Sequence, residues 1–277
     1  LFHVKPLPVI DHLVSKSSFD LVLDKETTAL KTTPELSEAE LEHYYPKTGY
    51  ASHQTRANSF KSKVYAWVKR SNIKSKLKWI RQYATTGHML DYGAGNGDFA
   101  LAAQHAGWQV GVFETSLDAI EILKQRQLLV VAKPLQENQF DVITLWHVFE
   151  HINRPEEALA SFYKSLKPGG VLVLAVPNAA SWDAKHYKSF WAAYDVPRHR
   201  WHYNKHAISL LGRKAGFELL TTKNMCWDAF YVSLLSEQYR NAKAPWVKAL
   251  YKGCFANLKG WQTTNTSSLT FFLQKPK

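Results

Sequence analysis

The sequence predicts an α/β fold, an open and mainly parallel β-sheet with helices on both faces. Three observations predict it. From residue 88 onward, short apolar strand patterns alternate with helical ones. A glycine-rich turn, Asp91-x-Gly93-x-Gly95-x-Gly97, joins the first of these strands to the first of these helices. Later runs such as 140–146 and 170–176 are apolar in the manner of strands buried on both faces.

In chain order, strands are expected at 88–92, 109–114, 129–132, 140–146, 170–176, 217–222 and 269–273. Helices are expected between them at 98–106, 117–127, 154–167 and 205–215, the last capped by Asn204. Upstream, Phe19-Asp-Leu-Val-Leu23 reads as a strand. Ser37 with Glu40 three residues on has the spacing of a capping box, and Tyr44-Tyr45-Pro46 ends that helix. Residues 58–82 read as a basic amphipathic helix with Phe60, Val64, Trp67, Ile73, Leu77 and Ile80 inward. The chain thus divides into an N-terminal cap region, 1–82, and a main domain, 83–277, with insertions at 178–204 and 224–262. The first insertion leaves a carboxyl strand end, where open α/β sheets bind ligands, and it is rich in aromatic and titratable residues.

Composition narrows the function. With 45% hydrophobic residues, 277 residues suffice for a sizeable core. Two cysteines, Cys226 and Cys254, make no disulfide framework and fit a reducing compartment. No apolar run reaches the roughly 18 residues of a membrane span, and residues 1–10, with Lys5, Pro6 and Pro8, do not read as a signal peptide. A cytoplasmic enzyme is therefore expected, with Leu1 in place of Met marking a start that is missing or processed. The net charge of +12 is concentrated in 61–82 and 183–277. Such flanks attract an anionic substrate or surface.

Three glycines at alternate positions let the backbone turn tightly and approach a ligand where a Cβ would intervene. The amides opening the next helix then face that ligand. The dinucleotide fingerprint wants a third glycine where Asp98 stands. Glu114, at the tip of the second strand and 17 residues beyond Gly97, is placed to accept both hydroxyls of a ribose.

Gly93-x-Gly95-x-Gly97 with Asp91 two residues ahead resembles motif I of the class I S-adenosylmethionine (SAM) methyltransferases. The strand ending at Glu114, the run 140–151 and the run 166–177 resemble later motifs of that superfamily in the right order. The resemblance implies a Rossmann-like seven-stranded sheet whose last strand is inserted antiparallel. Trp146-His-Val-Phe-Glu-His151, with Phe190-Trp-Ala-Ala-Tyr-Asp-Val-Pro-Arg-His-Arg-Trp-His202, further resembles a bacterial family related to the ubiquinone-biosynthesis O-methyltransferase type. Many of its members carry zinc-ribbon cysteines near the N-terminus. Here no cysteine or histidine occurs between Ser15 and Leu41, so no such zinc site is expected.

What the resemblance implies about the site follows residue by residue. Asp91, Gly93, Ala94, Gly95 and Gly97 would pass the methionine moiety of the cofactor. Glu114 would hold its ribose, with Phe113, Thr115 and Leu135 near the adenosine, and Trp146 and His147 would lie under the sulfonium. The reaction would turn SAM into S-adenosylhomocysteine and methylate an oxygen of a small or medium-sized acceptor, free or glycan- or lipid-linked. A base is then needed, and His199 is the first candidate, with His147 and His151 behind it. Asp195 is expected to orient the His199 ring. Tyr50, His53, Trp191, Tyr194, Arg198 and His202 are expected to line the acceptor pocket. No metal is expected, because Asp183, Glu150 and Asp195 are scattered in sequence.

Two other classes compete. The basic, aromatic flanks would suit an RNA-modifying or RNA-binding protein. Against it, Leu145-Trp-His-Val stands where base methyltransferases carry an Asn-Pro-Pro-Tyr-like run. An NAD-dependent oxidoreductase is disfavoured by Asp98.

Overall fold

The computed structural model describes residues 6–45, 60–132 and 135–277, with side chains from residue 66 onward in the first long helix. Three strands open the chain: β1 (Leu7–Ile10), β2 (Ser18–Leu23) and β3 (Leu30–Thr33). The short helix α1 (Glu38–Glu42) starts with the expected capping box between Ser37 and Glu40. Helix α2 (Phe60–Ile80) carries the basic run. Ile80 is buried and Ile73 and Leu77 pack against the core, but Trp67 is 60% exposed rather than inward. The side chains of Phe60 and Val64 lie outside the described residues.

The α/β domain follows the expected alternation. It runs β4 (His88–Tyr92), α3 (Asp98–His105), β5 (Gln109–Phe113), α4 (Leu117–Gln125), β6 (Leu129–Val130), β7 (Phe140–Trp146), α5 (Pro155–Ser165) and β8 (Leu166–Pro177). Next come α6 (Trp182–Tyr187), β9 (Trp201–His202), α7 (Lys205–Lys214), β10 (Glu218–Asn224), α8 (Asp228–Tyr239), α9 (Pro245–Thr263) and β11 (Ser268–Gln274). Asn204 caps α7 by accepting from the Ala207 amide. The second insertion is thus a pair of helices, α8 and α9.

Seven strands form one sheet in the order β10-β11-β8-β7-β4-β5-β6. β4, β5, β6, β7 and β8 pair parallel, while β11 is antiparallel to both β8 and β10. This is the arrangement the resemblance implied. β4 is the switch point: the chain goes out to β5 and β6, then returns to β7 on its other side. Its carboxyl end therefore opens onto a crevice.

The other four strands form a second sheet, β1-β2-β3-β9. Leu30 and Lys31 pair with His202 and Trp201, so the N-terminal strands are stitched to the first insertion. Beneath them, Val9, Phe19 and Leu21 pack with Tyr187, Trp191, Tyr194 and Val196 in a core of their own. A buried ion pair fixes the join. Arg198 is 3% exposed and donates to Asp11 at 2.9 Å, to Asp195 at 2.6 Å and to the Tyr44 carbonyl at 2.7 Å. Burial opposes ionisation of Asp11, but the Arg198 guanidinium and the Ser15 donors hold its carboxyl down to about 2.

Candidate active site

The turn after β4 is built as the glycines require. Gly93, Gly95 and Gly97 all have positive φ, at 74°, 53° and 77°. A Cβ on Gly93 would meet Val148 at 2.4 Å, and one on Gly97 would meet Leu123 and Leu128 at 2.6 Å. Above Gly95 there is open space, with nothing within 4 Å among the described residues. Two of these glycines therefore serve packing, and Gly95 leaves room for a ligand.

Glu114 is tied to this turn. Its Oε2 accepts from the Gly95 amide at 2.8 Å, and its Oε1 accepts from the amides of Thr115 at 2.7 Å and Ser116 at 3.1 Å. The carboxylate is thus aimed across the crevice from β5. Phe113 stacks on Tyr92 beside it with ring centres 4.5 Å apart, and the half-buried Leu135 packs against the same core. Asp91 is buried and accepts from Thr144 Oγ1 at 2.8 Å. Burial pushes its carboxyl up to about 6, against Thr144 and the nearby Lys76.

Lys76 is a member of the site that the sequence did not reveal. It lies in the basic run of α2, where it reads as one of eight cations on a solvated face. In the fold its amine sits over the Trp146 ring, 4.0 Å from the centroid. Burial pulls it down to about 8, against the attraction of Asp228 and Asp91. Trp146 also meets Phe99 edge-on at 5.1 Å, and its Nε1 is buried with no hydrogen-bond partner among the described residues.

His147 closes β7 in a left-handed conformation, φ 57°. Its Nε2 is 3.0 Å from Asp228 Oδ2, and its Nδ1 is 3.4 Å from Glu150 Oε1. Burial would lower its pKa, but the two carboxylates carry it up to about 10. An imidazolium so held takes no proton at neutral pH, which removes His147 from the candidate bases. Asp228 comes from the start of α8, 81 positions on, and no local pattern announces it.

Beyond His147 the carboxylate of Glu150 is 1% exposed, with neither oxygen hydrogen-bonded among the described residues. Burial opposes its charge, but His147 and the other nearby imidazoles keep its pKa below the ordinary value. His199 Nε2 is 4.0 Å from Glu150 Oε1, and the rings of His151 and His199 meet edge-on at 4.6 Å. The Ala193 carbonyl, 2.9 Å from His199 Nδ1, takes its N–H in the neutral ring, so Nε2 keeps the lone pair. His151 is fixed the same way by the Arg198 carbonyl at 2.9 Å. Burial and then His199 push the His151 pKa down to about 4, so it is neutral. Glu150, His151 and His199 each place one ligand atom within 4.8 Å of the others. The expectation of no metal rested on carboxylates alone, whereas the fold gathers one carboxylate and two imidazoles, a donor set a divalent cation accepts.

Other expectations need correcting. Asp195 does not orient the His199 ring; its carboxylate is taken by Arg198, and only its carbonyl accepts, from the His199 amide at 3.0 Å. Arg198 itself is fully engaged in the cap and is not free for an acceptor. Trp191 is 2% exposed and donates from Nε1 to Asp183 at 2.8 Å, while Tyr194 packs edge-on against it and against His202. His202 is 2.9 Å from Thr32 Oγ1, and burial drives its pKa well below the ordinary value. These four hold the cap together rather than line a pocket. Tyr50 and His53 lie outside the described residues.

Comparison with known proteins agrees with the geometry. A profile of the family described as a methyltransferase domain matches residues 66–222. The demethylmenaquinone methyltransferase of Renibacterium salmoninarum is 32% identical over 94 residues, which is 31% of this chain and 40% of that protein. The ubiquinone biosynthesis O-methyltransferase of Coxiella burnetii is 29% identical over 116 residues, 37% of this chain and 50% of the relative. The matches thus span half or less of these curated relatives. Among solved structures, phosphoethanolamine N-methyltransferase 2 of Haemonchus contortus with S-adenosyl-L-methionine gives a TM-score of 0.54 at 19% identity. That likeness covers 90% of this chain and 62% of the other. A SAM-dependent methyltransferase of Thermotoga maritima, described as a possible histamine N-methyltransferase, gives 0.53 at 18% identity over 78% of this chain and 95% of that one. At such identities the likeness is one of fold.

Proposed function

The chain belongs to the methyltransferase-domain family, with the class I SAM-dependent fold, and we propose that it methylates an oxygen of a small or medium-sized acceptor. The crevice suits the cofactor. Gly95 leaves space that a Cβ would fill, and Asp91 offers a buried carboxylate to an ammonium group. When bound, SAM supplies a methyl group on a sulfonium and leaves as S-adenosylhomocysteine.

The protein's own groups then bind and align. Gly93, Ala94, Gly95 and Gly97 form the cradle for the methionine moiety, Asp91 takes its ammonium and Lys76 its carboxylate. Glu114 trades its bond to the Gly95 amide for the ribose hydroxyls, and Phe113, Thr115 and Leu135 flank the adenosine. Trp146 floors the methyl end, where Lys76 already lies against its ring. His147, as an imidazolium between Asp228 and Glu150, anchors α8 to β7 and keeps this side of the crevice shaped. Residues 1–82 and the insertions 178–204 and 224–262 make the acceptor side over the 83–277 domain.

The proton goes to His199 Nε2. The observation that carries this is the fixed tautomer: the Ala193 carbonyl occupies Nδ1, so Nε2, 4.0 Å from Glu150 Oε1, keeps its lone pair. That carboxylate stabilises the imidazolium formed when Nε2 takes a hydroxyl proton. Hydroxylated aromatics of the quinol type are the first to try, because the curated relatives are named as a demethylmenaquinone methyltransferase and a ubiquinone biosynthesis O-methyltransferase.

The test is mass spectrometry of cell extract incubated with the enzyme and methyl-labelled SAM. Label is expected on an oxygen, and His199→Ala should lose about 10²–10⁴ in turnover while keeping SAM affinity. Label on carbon or nitrogen, or normal turnover by His199→Ala, refutes the reading. Activity lost to a chelator and restored by a divalent cation assigns His199 to metal binding instead.

A further inference from the structure

Helix α9 is built inside out. Its inward face is small: Ala249, Gly253, Ala256 and Gly260 are buried. Gly253 lies so close to Phe230 of α8 that a Cβ would come within 2.5 Å of that ring, and one on Gly260 within 2.6 Å of Thr266. Its large apolar side chains point the other way. Trp246, Val247, Leu250, Tyr251, Leu258 and Trp261 are 51–70% exposed. At about 100° per residue, these six fall within an arc of roughly 140°. A helix serving only its own core has the opposite pattern.

The patch continues onto neighbouring elements. Trp261 Nε1 lies 3.3 Å from Cys226 Sγ, and the next residue, Trp227, meets Trp67 of α2 edge-on at 5.4 Å. Trp67 and Trp227 are themselves 60% and 36% exposed. Contiguous exposed apolar surface of this kind marks an interaction site.

Charge selects the partner. From residue 238 to 277 there is no Asp or Glu, while Arg240, Lys243, Lys248, Lys252 and Lys259 lie in or just before α9. On the helical wheel Lys248, Lys252 and Lys259 fall together beside the apolar arc. Arg70, Lys74 and Lys78 line the exposed side of α2 at helical spacing, in a run 61–82 that also has no acid. Tryptophan, tyrosine and leucine on one side of a helix with lysines flanking them is the composition of a helix lying in a bilayer interface. Among the described residues no helix is long and apolar enough to cross a membrane.

We propose that α9, with Trp227 and Trp67 beside it, docks the enzyme peripherally on an anionic phospholipid bilayer, aromatic and aliphatic side chains entering the interface and lysines meeting the head groups. The proposal is independent of which acceptor is methylated.

The test is co-sedimentation of the purified protein with phosphatidylcholine vesicles containing phosphatidylglycerol, against pure phosphatidylcholine. Binding to the anionic vesicles is expected, with a blue shift of tryptophan emission. The variant Val247→Ser/Leu250→Ser/Leu258→Ser changes only exposed side chains; it should melt like the wild type, bind SAM equally and lose at least tenfold in vesicle affinity. Lys248→Glu/Lys252→Glu/Lys259→Glu should lose the preference for anionic lipid. Vesicle binding unchanged in both variants overturns the proposal. So does absence of vesicle binding accompanied by tight binding to RNA, or by a dimer that the serine variant dissociates.

Discussion

Replacing His147 by asparagine should remove a pH dependence that the wild type carries. The ring is held at about 10, against an ordinary 6.5, after burial is overcome by Asp228 and Glu150. A base whose pKa is raised on folding stabilises the fold fully below its unfolded pKa, and the effect fades as pH climbs through the folded one. The window here runs from about 6.5 to about 10. At roughly 1.4 kcal/mol per pH unit, the separation corresponds to about 5 kcal/mol. The side chain is 34% exposed, so solvent screening reduces this to about 2 kcal/mol. For a chain of this size that is a Tm difference of about 4–8 °C. Asparagine suits the position because it tolerates the left-handed backbone. Lys76 titrates in the same window with opposite sign: its amine, lowered to about 8 by burial, makes the fold more stable as pH rises. Because Lys76 also feels Asp228, the comparison is made with Lys76→Met in both proteins, and the difference between those melting curves isolates His147. Calorimetric Tm at intervals from pH 6 to 10 should show the wild type ahead at pH 6 and level by pH 10. A constant gap across that range would show that His147 is not charged in the fold.

Three further outcomes follow from the geometry. Glu114→Ala should weaken SAM binding by about 2 kcal/mol, roughly 30-fold, in titration calorimetry on a folded protein, since charge-assisted hydrogen bonds to the ribose are lost; unchanged affinity removes the ribose assignment. Gly95→Ala should abolish most SAM affinity while costing only about 1 kcal/mol of stability, whereas Gly97→Ala should melt earlier because its Cβ meets Leu123 and Leu128; equal effects on melting and binding in the two would contradict this division. Arg198→Met should strand Asp11 in the cap and cost about 3–5 kcal/mol by denaturant titration, and a stability within error of wild type would make the cap join unimportant.

The α/β domain was legible because its strands are buried on both faces and its turns carry glycine where the backbone is left-handed. The run 88–92, the glycine turn and Glu114 could be placed from local pattern alone. What stayed hidden was long-range. β9 is two residues long and pairs with a strand some 170 positions earlier, so no window contains both. Asp228 reaches His147 from another element, and Lys76 is indistinguishable in sequence from seven cations around it. The aromatics of 182–203 looked like a pocket lining because aromatic and titratable residues serve pockets and cores alike; Trp191 and Tyr194 serve a core. Helix α9 escaped because its small residues face inward, the reverse of the pattern that announces a helix.

The register between β3 and β9 has an evolutionary corollary. Thr32 donates twice across it: its amide to the Arg200 carbonyl at 3.0 Å, and its hydroxyl to the His199 carbonyl at 2.7 Å. The segment bearing the proposed base is therefore half of a discontinuous unit whose other half lies some 170 residues upstream. Recombination that exchanges 178–204 alone would deliver a loop without its scaffold. Replacement of this segment has to move both halves together, or proceed by single substitutions inside a frame that neither half can leave.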